Sequence, residues 1–237
     1  MMKRFCVVFF VCLCCFGTVF SQNVKADLIK VNQVFDQNES LSVDIVFSFY
    51  CSKNTAKAEE SKTTKLAKLK NAVYTEGFGL TTVIDGEITL LINEMNKTMR
   101  IQKTEKKISF SDLGLSISKI LDYSEKTTFT ETAEEKLYQL LINKLGIEKM
   151  LIHIRKKDFT LISVDYYQYG ETDIGKSSSK NCKNPVSKIS FQNYSKTLSI
   201  DKNKLSANFY VTKQKDGTYK PTKQYEKYTI INKINKK

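Results

Sequence analysis

Two periods of apolar residues organise this chain. From Asn23 to Gln37, Val24, Leu28, Val31 and Phe35 recur at helical spacing, with Lys25, Lys30 and Asn32 opposite, which predicts an amphipathic helix. The period then drops to two. In LSVDIVFSFY, Val43, Ile45, Phe47 and Phe49 point one way and Ser42, Asp44 and Ser48 the other, with Val46 the exception. That is the pattern of a half-buried strand. Residues 52–70 are polar and lysine-rich, and read as a solvated excursion with some helix between two strands. From Ala72, the segments AVYTEGFG, LTTVID, ITLLIN and TMRIQ read as consecutive strands of a meander over 72–102. Asp85-Gly86 is a hairpin turn signal, and GFG at 77–79 allows a bend or bulge.

A second helix is predicted within 107–125, where Ser111 and Asp112 are candidate caps and Leu113, Ile117, Ile120 and Leu121 follow helical spacing. Residues 134–145 fit both periods: Leu137, Leu141 and Leu145 suit a helix, Tyr138, Leu140 and Ile142 a strand. The strands on either side favour the strand. KMLIHIRK and FTLISVDYYQY form a hairpin around Lys157-Asp158, and a long polar loop containing Cys182 follows. VSKISFQNYS, SANFYVTK and QYEKYTIIN then read as further strands, with a turn at Asp216-Gly217. The expected fold is mainly β with α: a single curved antiparallel sheet of roughly ten strands, covered by helices. No repeat and no Pro/Gly linker divides residues 22–237, so they read as one domain.

The N-terminus changes the setting. Lys3 and Arg4 precede the apolar run Phe5–Phe16, and Val19 and Ser21 suit cleavage after Ser21. Residues 1–21 therefore read as a secretory signal peptide, and the chain as periplasmic or secreted. The run is shorter than the roughly 20 residues of a membrane anchor. Leu13 before Cys14 is a poor context for lipidation. The formal charge is +13, and lower by two once Lys3 and Arg4 leave. Arginine occurs only at Arg4, Arg100 and Arg155, so the basic surface is lysine. Arginine carries most base-edge recognition, and with export this argues against nucleic acid. Four of six cysteines lie in the signal, leaving Cys51 and Cys182, which form either one disulfide or two separate buried thiols.

Candidate chemistry is sparse. His153 is the sole histidine and has no partner for a metal site or a triad. Glu59-Glu60 and Glu134-Glu135 sit in lysine-rich segments, far from the desolvated cleft that acid–base catalysis needs. There is no G-x-S-x-G, phosphate loop, G-x-G-x-x-G or H-E-x-x-H, so no enzyme class, metal or cofactor is indicated. Aromatic residues are abundant on the strands: Phe47, Phe49, Tyr74, Phe78, Tyr166, Phe191, Phe209 and Tyr228. They either fill a core or line a cavity. An acyl chain gains about 0.8 kcal/mol per buried CH₂ from apolar lining alone. The candidate lining is Phe47, Phe49, Tyr74, Phe78, Ile84 and Leu91.

The order of elements carries a resemblance. The helix DLIKVNQVF leads into LSVDIVFSFY, then a polar excursion and the meander AVYTEGFGLTTVIDGEITLLINEMNKTMRIQK. An internal helix, the hairpin KMLIHIRKKDFTLISVDYY and the strand KISFQNY complete it. Over residues 24–200 this resembles the LolA and LolB lipoprotein carriers and their relatives in Bacteroidetes-type bacteria. The resemblance implies an unclosed antiparallel β-barrel of about eleven strands, capped by helices, with an apolar cavity for lipoprotein acyl chains. The family's early-strand arginine has no counterpart in residues 72–80, and the tryptophan of its second hairpin is absent. The expected function is an exported, non-enzymatic carrier or binder of a lipid or lipoprotein acyl chain, most simply a monomer, with peripheral membrane contact open. An envelope protein–protein interaction module without a cavity is the alternative. N-terminal sequencing of the exported protein should begin at Gln22; a chain that retains residues 1–21 would contradict cleavage.

Overall fold

The computed structural model describes residues 24–54, 56–86, 88–104, 117–173 and 181–234. The signal segment and the first part of the second expected helix lie outside them. Helix α1 (Val24–Gln37) leads into β1 (Ser40–Tyr50). Five strands follow: β2 (Glu60–Leu69), β3 (Ala72–Gly77), β4 (Leu80–Asp85), β5 (Ile88–Asn93) and β6 (Thr98–Lys103). After the short helix α2 (Ile117–Leu121) come β7 (Lys126–Glu131), β8 (Glu135–Lys144), β9 (Ile147–Arg155) and β10 (Leu161–Gln168). The chain ends with β11 (Glu171–Asp173), β12 (Asn181–Lys183), β13 (Val186–Ser195), β14 (Val211–Lys213), β15 (Tyr219–Pro221) and β16 (Thr229–Asn232).

Twelve strands form one sheet in the order β16-β6-β5-β4-β3-β2-β1-β13-β10-β9-β8-β7, which remains open at β16 and β7. The expectation of about eleven strands is therefore one short. The expected purely antiparallel sheet also needs correcting, because β16 pairs parallel to β6, Thr229 opposite Thr98 and Asn232 opposite Ile101. β11–β12 and β14–β15 form two separate ribbons.

Three segments bear on the sequence reading. Residues 134–145 extend as β8 because partners flank it on both sides. The lysine-rich segment is only partly an excursion: residues 60–69 are β2, in register with β1 from Ser40↔Leu69 to Phe49↔Glu60. Its lysines mask a strand, since backbone pairing on both edges outweighs their weak β-propensity. SANFYVTK is mostly not a strand. Residues 207–209 form a 3₁₀ turn capped by Ser206, whose side chain accepts from the Asn208 amide. Asp85 anchors this turn by accepting from Ser206 Oγ (2.8 Å) and the Ala207 amide (2.9 Å).

Register assigns the side chains to two faces. The inner face carries Val43, Ile45, Leu66, Val73 and Ile84, and with Phe191, Val164, Ile152 and Tyr138 across the other half of the sheet it forms the main core. Leu28, Val31 and Phe35 of α1 pack into this core, with Ile117 and Leu121. The outer face of the meander is buried as well. Ala67, Tyr74, Val83, Leu90, Ile92, Met99 and Ile101 form a second core with Leu205, Tyr210 and Val211 of the C-terminal segment. Of the apolar residues in ITLLIN, Leu90 and Ile92 are buried in the second core, while Leu91 faces the other way and is half-buried.

Helix α1 is held at both ends by buried charges. Lys68 on β2 is 5% exposed, and its ammonium donates to the carbonyls of Phe35 (2.7 Å), Asp36 (3.1 Å) and Asn38 (2.7 Å). These carbonyls lie at the helix C-terminus, where intrahelical donors run out and a cation suits the dipole. Near the other end, Asp27 accepts from Lys136 Nζ (2.8 Å) and Tyr138 Oη (2.7 Å), both on β8. Burial opposes ionisation of Asp27, but the hydrogen bonds from Lys136 and Tyr138 and the charge of Lys136 outweigh it and lower its pKa. A depressed carboxylate contributes stability above its unfolded value and loses it as pH falls through the folded one. Asp27→Ala, which strands Lys136, should cost about 3–5 kcal/mol at neutral pH. The gap to wild type should shrink only below about pH 4, as the native carboxylate protonates. Urea unfolding of both proteins across pH measures it; a gap independent of pH would show that the carboxylate's charge is not what holds the helix.

Candidate ligand site at the end of the inner face

The end of β1 carries two phenylalanines. Phe47 stands between Lys62 of β2 and Ile189 of β13, and Phe49 between Glu60 and Ser187. These partners share the inner face by register. A cavity of about 220 Å³ lies there, lined by Phe47, Ser48, Phe49, Glu60, Lys62, Phe78, Ser187, Lys188 and Ile189. Its wall is Phe47, Phe49, Phe78 and Ile189, and Glu60 pairs with Lys62 among the charged residues that also line it. Tyr166, opposite Ser187 on the same face, has its hydroxyl pushed up to about 12 by burial, so this region carries no phenolate.

Phe78 closes one side from the β3–β4 hairpin. Its ring meets Phe47 edge to face, centroids 5.3 Å apart, and Lys62 Nζ lies 5.6 Å from its centroid. The hairpin turns on Phe78 (φ 56°) and Gly79 (φ 71°), both left-handed. Glycine or asparagine is the ordinary choice for such a two-residue turn, and a phenylalanine there is strained by about 1 kcal/mol. The preceding Gly77 is required for a different reason: a Cβ there would sit 2.2 Å from Thr64 Oγ1. The expected bend or bulge at 77–79 is thus a tight hairpin that leans an aromatic ring over the cavity.

The six residues expected to line one cavity are divided by the fold. Phe47, Phe49 and Phe78 meet at the site. Ile84 is on the same face but packs in the main core. Leu91, opposite Thr82 and Arg100, is half-buried on that face and belongs to neither core cluster. Tyr74 lies on the outer face in the second core, at 1% exposure, with its hydroxyl donating to Glu76. Register separates it: Tyr74 pairs with Ala67 and Val83, one residue out of phase with Val73 and Ile84. Ile189 completes the wall and escapes the sequence reading, because its strand adjoins β1 only through a distant return of the chain. Elsewhere on the inner face Tyr138, Leu140, Met150 and Ile152 are packed at 0% exposure.

Cys51, one residue past β1, is bonded to Cys182 of β12, with S–S 2.00 Å and a sequence separation of 131. The bond ties the end of β1 to the chain leading into β13, the two strands that supply Phe47, Phe49 and Ile189. His153, on the outer face, hydrogen-bonds Glu135 through Nδ1, and its Nε2 lies 4.0 Å from Asp165. No nucleophile is bonded to it among the described residues. Among these residues no group of three or more His, Cys, Asp or Glu is placed to hold a metal ion, and no helix is long and apolar enough to cross a membrane.

No family model matches the chain, and no curated protein sequence matches it. Solved structures do match. A LolA superfamily protein from Nitrosomonas europaea shares 10% identity and a TM-score of 0.34, covering 80% of this chain and all of that one. An uncharacterized conserved protein from Thermus thermophilus shares 11% identity and a TM-score of 0.44, covering 90% of this chain and all of that one. MucB of the Pseudomonas aeruginosa MucA/MucB complex shares 9% identity and a TM-score of 0.38, covering 77% of this chain and 60% of that one. At these scores the likeness is distant, and the functional reading below rests on the chain's own geometry.

Breaking the disulfide should cost about 4–5 kcal/mol by the chain entropy of its loop. Denaturant unfolding of a Cys51→Ser/Cys182→Ser variant measures it, and a loss below about 1 kcal/mol would show that the loop is already ordered in the unfolded chain. One of the structural matches is a protein of the LolA superfamily, the family that the order of elements resembles.

Proposed function

We propose that this chain is an exported, non-enzymatic binder of a lipid or lipoprotein acyl chain, held in the apolar site between β1, β13 and the β3–β4 hairpin. The observation that carries this reading is the cavity walled by Phe47, Phe49, Phe78 and Ile189, whose Phe78 ring is kept in a strained backbone conformation. Such strain persists where the surroundings over-determine it, and it collects at ligand clamps. Four apolar side chains make the wall and Glu60 and Lys62 are paired with each other, which suits a ligand recognised by apolar area.

At about 220 Å³ the cavity is below the roughly 300–1,000 Å³ of ordinary small-molecule sites. It holds about seven water-sized groups, each near the size of a methylene. Burying that length contributes about 5–6 kcal/mol before ordering costs. The site therefore grips part of a chain, weakly, as suits a binder that releases its ligand. The second reading, a protein-interaction module, draws on the packed core under α1 and on the exposed apolar residues beside the site.

Asparagine is at home in the left-handed turn position of Phe78, so Phe78→Asn removes the ring without threatening the fold. The variant should bind a fluorescent fatty acid several-fold more weakly, with a thermal midpoint no lower than wild type. Native mass spectrometry of wild type purified from membrane-containing cells should find co-purified lipid. A consistently empty protein that binds no acyl probe would overturn the reading.

A further inference from the structure

One edge of the large sheet is unprotected. β7 (KTTFTE) ends the strand order and, among the described residues, pairs with β8 alone. All its positions are exposed except the half-buried Phe129. Natural edge strands are blunted by proline, by bulges or by lysines along their length. β7 has no proline, no break in its register and one lysine, at its first position. The opposite edge, β16, has only four residues. At the β7–β8 turn the Thr132 amide donates to the Glu135 carbonyl (2.8 Å). Backbone polarity alternates along an antiparallel strand. Thr130, Thr128 and Lys126 therefore bond to β8, while Thr127, Phe129 and Glu131 turn their N–H and C=O groups to the open edge.

A second copy of the same strand fits this edge. A twofold axis perpendicular to the sheet at Phe129 sets Phe129 opposite its own copy, Thr127 opposite Glu131 and Thr128 opposite Thr130. Every edge N–H then meets a C=O, about six bonds in all. The two Phe129 rings meet on the inner face, where each already lies 5.0 Å from the ring of Tyr138, so four aromatic rings cross the junction. Charge selects the register. With the axis at Phe129 no like charges oppose, and Glu131 is already paired with Lys156. An axis at Thr128 would set Glu125 against Glu131, which repulsion disfavours, and an axis at Thr130 would leave only residues 129–131 of β7 in register. We propose that β7 joins two copies of this chain edge to edge, making one continuous sheet from two of twelve strands. The pairing is small, so the dimer is weak, and the expected monomer is its form at low concentration. Both copies carry the same net charge, with 38 basic against 25 acidic residues in the full chain, so added salt strengthens the dimer by screening. The acyl-binding reading plays no part in this pairing.

Sedimentation equilibrium of the purified protein over a range of concentrations tests it. Wild type should pass from monomer to dimer as concentration rises, and at lower concentration in higher salt. Thr128 and Thr130 are exposed and face each other across the axis, so paired substitutions there test the register without touching either core. Thr128→Lys with Thr130→Lys sets lysines opposite each other and should weaken the dimer by about tenfold. Thr128→Glu with Thr130→Lys sets opposite charges across the axis and should hold the dimer at least as tightly as wild type. Circular dichroism checks that both variants fold. A chain that stays monomeric at every concentration, or a dimer of equal strength in both variants, would overturn the proposal.

Discussion

The arrangement depends on how one short helix is fixed to a sheet. A helix of 14 residues has little stability of its own, so its place is set by what its ends and its stripe meet. Lys68 satisfies three carbonyls at its C-terminus, and Asp27 bonds to Lys136 and Tyr138 near its N-terminus. The two anchors are on β2 and β8, on opposite sides of β1 in the sheet order. Between them Leu28, Val31 and Phe35 fill the inner face. Phe47, further along β1, packs against the edge of this core, and Phe49 follows it on the same face.

That placement explains why the cavity is at the end of the sheet. The middle of the inner face reaches complete burial, as ordinary interiors do. At the end of β1 and β13 the Phe78 ring stands against Phe47. The disulfide and the tight approach of Gly77 to Thr64 brace the strands around this gap. On the other face the C-terminal segment buries the meander, with Asp85 fixing the turn at residues 207–209 and the rings of Tyr210, Tyr225 and Tyr228 in tilted and edge-to-face contact. The meander thus has a firm backing on its outer side, and its hairpin tips project from it.

The small volume of the site shapes the functional account. An apolar pocket of this size does not supply the affinity of a deep cavity. Phe78, which costs strain, stands half in solvent and walls the cavity, is placed for contact with something that enters.

By itself, the sequence determined most of the elements, β2 and the turn at residues 207–209 excepted. The helical stripe of α1, the alternation of β1, the meander after Ala72 and the hairpin at Lys157-Asp158 follow from period and turn chemistry, which act between near neighbours. Only the tertiary structure decided which elements share a face. Tyr74 and Ile84 look equally suited to a cavity, yet register sends them to opposite cores, because one residue of phase reverses every side chain in a strand. The same holds for Lys68, which reads as one lysine in a charged run and becomes the cap of a helix 30 residues earlier. Ile189 reaches Phe47, and Cys182 reaches Cys51, across separations that no local pattern encodes. Long-range pairing, set by which strands bury the most apolar surface together, turned a list of aromatic residues into a site.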